Sequence, residues 1–224
     1  MIVYHFLPEL YALDNLRKRH LKISFIEDMN DPFELLGGSL ENKQHRNAFL
    51  SFKKDMNTIF GALCFSKHWS NPVLWSHYAD KHKGCCLGFE IPDDIAMQMS
   101  YEAKRLKMDI EERLKSGETI GSDLSSKLLT TKFEDWKYEE EIRVAIKPEE
   151  FIDESGLKFY KFQSDLVLKE IILGARSTLS IQKIKSAVQI ADYPVDIIRT
   201  RLAFKSFTIV HNKEKPIILL KPAS

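Results

Sequence analysis

The fold is decided by residues 157–173, which read LKFYKFQSDLVLKEIIL. Two runs rich in aromatic and branched side chains, at 157–162 and 166–173, flank the polar connection QSD. This pattern is typical of consecutive strands. Further strands are predicted at 138–147, 195–203 and 205–211, the last two as a hairpin. Consecutive strands with short connections favour an α+β fold over a doubly wound parallel sheet. We expect a mixed or mostly antiparallel sheet, continuous or split, with flanking helices.

The N-terminal half mixes strands with helices. The predicted strands lie at Ile2–Leu7, 21–26, Gly61–Ser66 and 85–91, and the predicted helices lie at 9–20, 42–59 and 73–82. Asn71 and Pro72 are a good N-cap and a good first helical residue for the last of these. A further helix is predicted at 181–192. No repeat or Pro/Gly/Ser-rich linker divides the chain, so residues 1–224 are expected to form one domain with a helical insertion at 93–132.

Composition limits the classes of function. The 224 residues include 33 Lys+Arg and 32 Asp+Glu, a formal charge of +1, which disfavours a globally basic nucleic-acid binder. No apolar run approaches the roughly 18–20 residues that span a bilayer, so no membrane partner is expected. Three cysteines, Cys64, Cys85 and Cys86, suit neither a disulfide framework nor zinc. They predict small core residues in a cytoplasmic protein.

Two polar motifs near the N-terminus could bind a ligand. His5 lies between two aromatic residues on the first predicted strand, and it is either satisfied within the sheet or functional. Asn30 and Asp31 open the turn NDPFE at 30–34. Their side chains can bond the nearby backbone or bind hydroxyl or phosphate groups of a ligand, and both interpretations stay open.

Residues 64–84 concentrate aromatic and histidine side chains. On the predicted helix, Leu74, Trp75 and Tyr78 share one face, so Trp75 is expected to be largely buried. A metal interpretation would use three histidines of this stretch, His68, His77 and His82. Their spacing matches no familiar ligand set, and no metal is expected.

The acidic run EEE at 139–141 precedes Arg143. On a strand, Glu139, Glu141 and Arg143 would project from one face. The two carboxylates would then repel, and one pKa would rise unless Arg143 offset the charge. The alternative is an exposed charged strand or helix end, in which Glu139 and Arg143 form an ordinary i,i+4 pair.

Together, seven segments of the chain resemble a bacterial domain-of-unknown-function family, number twenty-nine seventy-one. They are YHF at 4–6, NDPFE at 30–34, CFS at 64–66, NPVLWSHYA at 71–79, GCCLGFEI at 84–91, WKYEEEIR at 136–143 and EIILG at 170–174. The resemblance covers nearly the whole chain in the family's order. It implies kinship and carries no activity.

The order of His5, then Tyr78 or Phe65-Ser66, then the Glu139–Glu141 run also resembles ADP-ribosyltransferases, which arrange such elements around NAD. This resemblance implies a transferase with NAD as its substrate and no metal. Glu141 would bind the ribose 2′-hydroxyl and stabilise an oxocarbenium-like state, and Glu139 would orient the acceptor or act as its base. The remaining roles are ribose binding by His5, nicotinamide stacking by Tyr78 or Trp75, and further cofactor contacts by Ser66, Asn30 and Asp31.

Two other classes compete with this interpretation. One is a metal-independent hydrolase or nuclease that uses His5, His77 and Glu141 as acid and base. The other is a non-catalytic binding or regulatory module whose aromatic residues form a core. In the transferase interpretation the partner is a nucleotide, and the acceptor is either protein or nucleic acid. It also predicts that His5 and Glu141 line the same cleft.

Overall fold

The computed structural model of the protein describes residues 1–106, 122–188 and 193–221. The helices are α1 (Glu9–Lys18), α2 (Lys43–Ile59), α3 (Pro72–Tyr78), α4 (Ser122–Leu129) and α5 (Ile181–Ala187). The first strands are β1 (Ile2–Leu7), β2 (His20–Lys22), β3 (Gly61–Ser66), β4 (Cys85–Glu90), β5 (Met97–Gln98), β6 (Ser100–Glu102) and β7 (Thr131–Phe133). They continue with β8 (Glu141–Ile146), β9 (Ile152–Glu154), β10 (Leu157–Lys161), β11 (Val167–Leu173), β12 (Val195–Leu202), β13 (Ile209–His211) and β14 (Ile218–Leu220). None of the helices within these ranges is both long enough and apolar enough to cross a bilayer.

Nine strands of the described residues form one sheet in the order β13-β12-β11-β4-β1-β3-β8-β5, and β14 also pairs with β12. The β11–β12 pair is parallel, whereas the other neighbours are antiparallel. The predicted α+β fold with a mixed, mostly antiparallel sheet and flanking helices is therefore confirmed. The predicted C-terminal hairpin is also present as the antiparallel pair β12–β13.

The two strands formed by residues 157–173 belong to different sheets. β11 lies between β4 and β12 in the large sheet, whereas β10 pairs with β2 and β9 in a three-stranded sheet. The chain turns between them, where the amide of Leu166 donates to the carbonyl of Gln163 at 3.0 Å. Tyr160 fixes this turn by donating its hydroxyl proton to Asp165 at 2.7 Å.

The large sheet separates two apolar layers. One face packs Leu87, Ile142 and Ile171 with residues of α1 and α5. The opposite face packs Phe6, Ile198 and other residues against α3. Trp75 of α3 is fully buried in that second layer, as predicted. The predicted core positions of the cysteines also hold, with Cys85 and Cys86 buried and Cys64 half-buried.

Helix α3 begins where its sequence predicts and ends early. The Asn71 side chain accepts a hydrogen bond from the amide of Val73 at 2.9 Å, and Pro72 is the first helical residue. The helix ends at Tyr78 rather than His82, because the residues from Asp80 to His82 have φ values of 43°, 53° and 70°. These left-handed conformations are incompatible with a continuing right-handed helix.

The helical insertion predicted at 93–132 is wrong for most of its described part. That part holds a 3₁₀ turn at Asp93–Ile95, strands β5, β6 and β7, and one helix, α4. Residues 107–121 of the predicted insertion lie outside the described residues. β5 joins the edge of the large sheet through β8, and β6 pairs with β7. Backbone pairing with distant strands therefore overrides the polar, helix-favouring composition of this segment.

The sheet opens between β1 and β3. β1 pairs with β4 along its whole length, from Ile2↔Glu90 to Leu7↔Cys85, but with β3 only at Tyr4↔Ser66. Further along β3, the edge that faces β1 is taken by Ser24, which bridges Ala62. The large sheet is therefore partly split, as the sequence allowed. The opening between β1 and β3 forms a cleft.

Candidate functional site

A cleft of about 210 Å³ lies where β1 separates from β3. Six of the eight residues predicted to form a site line it: His5, Asn30, Ser66, Tyr78, Glu139 and Glu141. They come from β1, the turn after β2, β3, α3, a 3₁₀ helix at Glu134–Glu139 and β8. The structure therefore brings His5 and Glu141 to one cleft, although β3 lies between their strands.

His5 bridges the split with its side chain. Its Nδ1 atom lies 2.8 Å from the carbonyl oxygen of Cys64 on β3. A carbonyl only accepts hydrogen bonds, so Nδ1 carries the proton. Burial lowers the pKa of His5, which favours the neutral ring with Nε2 as an acceptor. Within the described part of the chain, Nε2 has no hydrogen-bond partner, so it is available to a ligand hydroxyl.

Glu139 and Glu141 do not share a strand face, which corrects the prediction from the sequence. Glu139 ends the 3₁₀ helix, Glu140 has a left-handed φ of 42°, and Glu141 begins β8. The carboxylates nevertheless meet at Lys132 of β7, whose Nζ lies 2.6 Å from Glu139 Oε2 and 2.9 Å from Glu141 Oε2. The two carboxylates are therefore close together because both bind the buried Lys132, and not because they project from the same face of one strand.

Glu141 is held as a carboxylate. Arg143 donates to it through Nε at 2.7 Å and Nη2 at 3.1 Å, in addition to the bond from Lys132. Burial alone would raise the pKa of Glu141, but Arg143 and Lys132 outweigh it and lower the pKa to about 2. Arg143 therefore offsets the negative charge of the acids, which was one of the two outcomes that the sequence left open. Glu141 stays ionised at neutral pH and cannot serve as an acid there.

The network continues away from the cleft to Glu34. Arg143 binds both carboxylate oxygens of Glu34, at 2.6 and 3.0 Å, and both side chains are buried. Three carboxylates, those of Glu34, Glu139 and Glu141, face two cations, those of Lys132 and Arg143, which leaves this buried group a formal charge of −1.

Asp31 belongs to the turn and does not line the cleft, so its predicted role as a ligand contact is wrong. It is only 3% exposed, and its Oδ1 accepts from the amide of Phe33 at 2.9 Å. Of the two interpretations of NDPFE, Asp31 therefore follows the one in which the side chain bonds the nearby backbone. The turn positions Glu34 against Arg143 and leaves Asn30 at the cleft.

Tyr78 connects the turn to the acids. Its hydroxyl donates to Glu139 Oε1 at 2.5 Å and accepts from Asn30 Nδ2 at 3.1 Å. Burial and the neighbouring Glu139 raise the pKa of the Tyr78 phenol, so the hydroxyl keeps its proton and remains a donor.

Trp75 cannot stack on a ligand. Its ring is fully buried, and its indole Nε1 donates to the carbonyl of Trp69 at 2.5 Å. The predicted nicotinamide-stacking role is therefore wrong for Trp75, and Tyr78 is the aromatic residue of α3 that lines the cleft.

The histidines of 64–84 do not complete a site. His77 lies against Tyr138, with Nδ1 3.3 Å from the phenol oxygen, and does not line the cleft. The hydrolase alternative therefore loses one of its three residues. His82 stacks on Trp75 and lies 3.1 Å from the hydroxyl of Ser76. Among the described residues, no group of three acidic, histidine or cysteine side chains is arranged to hold a metal ion.

Comparison with known proteins supports the first resemblance. The model of the family described as "Protein of unknown function (DUF2971)" matches residues 74–144. The matched stretch runs from α3 into β8, so it contains Tyr78, Lys132, Glu139, Glu141 and Arg143. No curated protein and no solved structure matches the chain.

Proposed function

We propose that the protein is an NAD-dependent enzyme that cleaves the nicotinamide–ribose bond and transfers ADP-ribose to an acceptor. One observation carries the proposal. A neutral histidine from β1, a tyrosine from α3 and two carboxylates, one at the end of the 3₁₀ helix and one at the start of β8, line one cleft at the split of the sheet. Each of these groups has a chemical role in the proposed ribosyl transfer.

The charge of the cleft suits this substrate. Its lining includes Asp28, Glu139 and Glu141 against Lys132 and Arg143, a formal charge of −1. The oxidised nicotinamide ring is a cation and is attracted to such a site, whereas a phosphodiester backbone is repelled. A volume of about 210 Å³ suits the nicotinamide–ribose end rather than the whole dinucleotide. Charge and size therefore both favour NAD cleavage over a nuclease.

Glu141 supplies the fixed negative charge. Each carboxylate oxygen can accept about two hydrogen bonds, and Glu141 Oε1 accepts one, from Arg143. In the proposed complex the ribose 2′-hydroxyl replaces the Cys64 thiol, which is a weak fourth donor to this carboxylate among the described residues. As the C1′–N bond breaks, its electron pair passes to the nicotinamide nitrogen and C1′ becomes cationic. A preorganised carboxylate stabilises that charge.

Glu139 and the other lining residues complete the reaction. The acceptor's nucleophilic atom bonds to C1′ and loses its proton, which Glu139 accepts. Tyr78 orients Glu139 through its 2.5 Å hydrogen bond and offers its ring to the nicotinamide. His5 Nε2 accepts from a ribose hydroxyl, while Ser66 and Asn30 offer further polar contacts. The products are nicotinamide, the ADP-ribosylated acceptor and a proton.

A second candidate function is nucleotide binding without turnover. It is favoured by the pairing of the acids with protein donors, because each oxygen of Glu139 and Glu141 already accepts at least one hydrogen bond. Buried charges paired in this way can have a structural role alone.

Incubation of the intact protein with NAD tests the proposal, with nicotinamide release followed by chromatography and NAD binding by calorimetry. Release of nicotinamide with a catalytic rate supports the transferase. Binding of NAD without release supports the second candidate. Cleavage of single-stranded DNA or RNA without NAD would contradict both and revive the nuclease.

A further inference from the structure

A second pocket of about 270 Å³ adjoins the cleft, and Lys132 lines both cavities. Its volume is just below the roughly 300–1,000 Å³ typical of small-ligand sites. Its walls come from the turn around Phe33, the segment from Glu102 to Arg105, and β7. Apart from Lys132, none of the residues given a role in the proposed reaction lines this second pocket.

Two aromatic rings border the pocket with much of their surface exposed. Phe33 is 53% exposed and Phe133 is 43% exposed. The Arg105 guanidinium lies over the Phe33 ring, 5.1 Å from its centroid. Exposed aromatic rings beside a cation are typical of sites that stack a nucleic-acid base. Phe133 has no such cation over it among the described residues, and it therefore offers the freer ring face.

Arg105 is fixed in place rather than extended into solvent. Its Nη1 donates to the carbonyls of Leu36 and Gly38, at 2.5 and 3.1 Å. A guanidinium held in this way binds a phosphate with less loss of side-chain entropy than a free one. Lys104 adds a second cation to the lining.

The two cavities have opposite formal charge. Lys104 and Arg105 face one acid, Glu102, in the second pocket. Lys132 is already paired with Glu139 and Glu141. The second pocket is therefore net positive by one charge, whereas the cleft is net negative. An oxidised nicotinamide dinucleotide has a matching order of charge, with a cationic ring at one end and, beyond the first ribose, an anionic pyrophosphate that leads to the adenosine.

We infer that the second pocket binds the adenosine-phosphate half of the dinucleotide whose nicotinamide–ribose half occupies the cleft. Phe133 stacks on the adenine, Arg105 and Lys104 bind phosphate, and Glu102 accepts from a ribose hydroxyl. This inference rests on the proposed function, because it assigns the remainder of the same substrate.

Calorimetric titration of the intact protein with AMP tests the pocket without requiring catalysis. Phe133→Ala should weaken AMP binding about tenfold or more, the scale of losing one base–aromatic stack. Phe207→Ala is the matched control, because Phe207 is 98% exposed and lines neither cavity. Lys104→Gln should weaken AMP binding but leave adenosine binding unchanged. Nicotinamide at saturation should leave AMP binding in place, because the two occupy separate cavities.

The outcomes separate this inference from the proposed function. Loss of AMP binding in Phe133→Ala alone, with a raised KM for NAD in the same variant, supports the inference. NAD cleavage by a protein that does not bind AMP would overturn the inference and leave the proposed function standing. Equal AMP affinity in Phe133→Ala and Phe207→Ala would also overturn it. Absence of binding by both AMP and NAD would overturn the inference and the proposed function together.

Discussion

Arg143 binds Glu34, a residue 109 positions earlier in the chain, through two hydrogen bonds of 2.6 and 3.0 Å between buried side chains. The same guanidinium holds Glu141, so one arginine couples the NDPFE turn to the acids of the cleft. The turn is thus part of the support of the proposed site.

We expect Glu34→Ala to destabilise the fold by about 3–5 kcal/mol, because it leaves a buried guanidinium without one of its two carboxylates. Urea unfolding followed by circular dichroism measures this free energy. Glu134→Ala is the control, since Glu134 is exposed and should change stability by less than about 0.5 kcal/mol. A loss below about 1 kcal/mol for Glu34→Ala would mean that the ion pair is not maintained in solution.

Stability should depend on the charge of Glu141. Its pKa falls from about 4.5 to about 2 on folding, so the unfolded state binds more protons between these values. The stabilisation is fully present above pH 5 and is lost as the pH falls toward 2. The stability difference between the wild type and Glu141→Gln should shrink by roughly 2 kcal/mol from pH 7 to pH 3. A difference independent of pH would contradict the assignment.

This result also changes what Glu141→Gln is expected to do. Considered from the sequence alone, the substitution should keep the melting temperature almost unchanged. The structure shows that Lys132 and Arg143 donate three hydrogen bonds to the carboxylate. The variant therefore removes a negative charge that pairs with these two buried cations. A lower melting temperature is therefore expected, and activities must be compared at equal folded fraction.

Tyr78→Phe should reduce turnover and lower the free energy of unfolding by about 1–3 kcal/mol, because buried Glu139 loses a hydrogen-bond donor. The variant keeps the ring but removes the hydroxyl that donates to Glu139, so kcat for nicotinamide release should fall about tenfold with little change in KM. Tyr11→Phe, on the exposed side of α1, serves as control. Equal kcat values in both variants would remove Tyr78 from the positioning of Glu139.

Trp75→Ala should cost about 3–5 kcal/mol, because the ring is fully buried. Thermal and urea unfolding both report this loss. An unchanged unfolding curve would place the ring at the surface and reopen a ligand-stacking role for it.

Sequence patterns within short segments predicted individual strands and helix starts well, but they predicted less well how these elements pack together. Strands Ile2–Leu7 and Gly61–Ser66 were predicted to the residue, because apolar runs there are bounded by clear breaks. The start of α3 followed from Asn71 and Pro72. Its end could not be predicted, since the left-handed residues after Tyr78 contact a distant segment, where the amide of Arg176 donates to the carbonyl of His82 at 3.0 Å.

The site was predictable as a set of residue types and not as a network. His5, Tyr78, Glu139 and Glu141 were chosen from motifs, and they do line one cleft. Lys132 and Glu34 were missed, although they hold the acids and the arginine in place. Glu34 lies in the NDPFE motif, but its partner Arg143 is 109 residues away in sequence. Lys132 lies in no motif, and the 3₁₀ helix at Glu134–Glu139 returns the chain so that Glu139 and Glu141 reach it.

Nicotinamide release from NAD by the wild type and by Glu141→Gln tests the central claim most directly. Both proteins are assayed at equal folded fraction, with Glu134→Gln as an exposed-charge control. We predict that the wild type and the control release nicotinamide at the same rate, and that Glu141→Gln is slower by roughly a hundredfold or more. No release by the folded wild type, or an equal rate in Glu141→Gln, would contradict the claim that this cleft cleaves NAD.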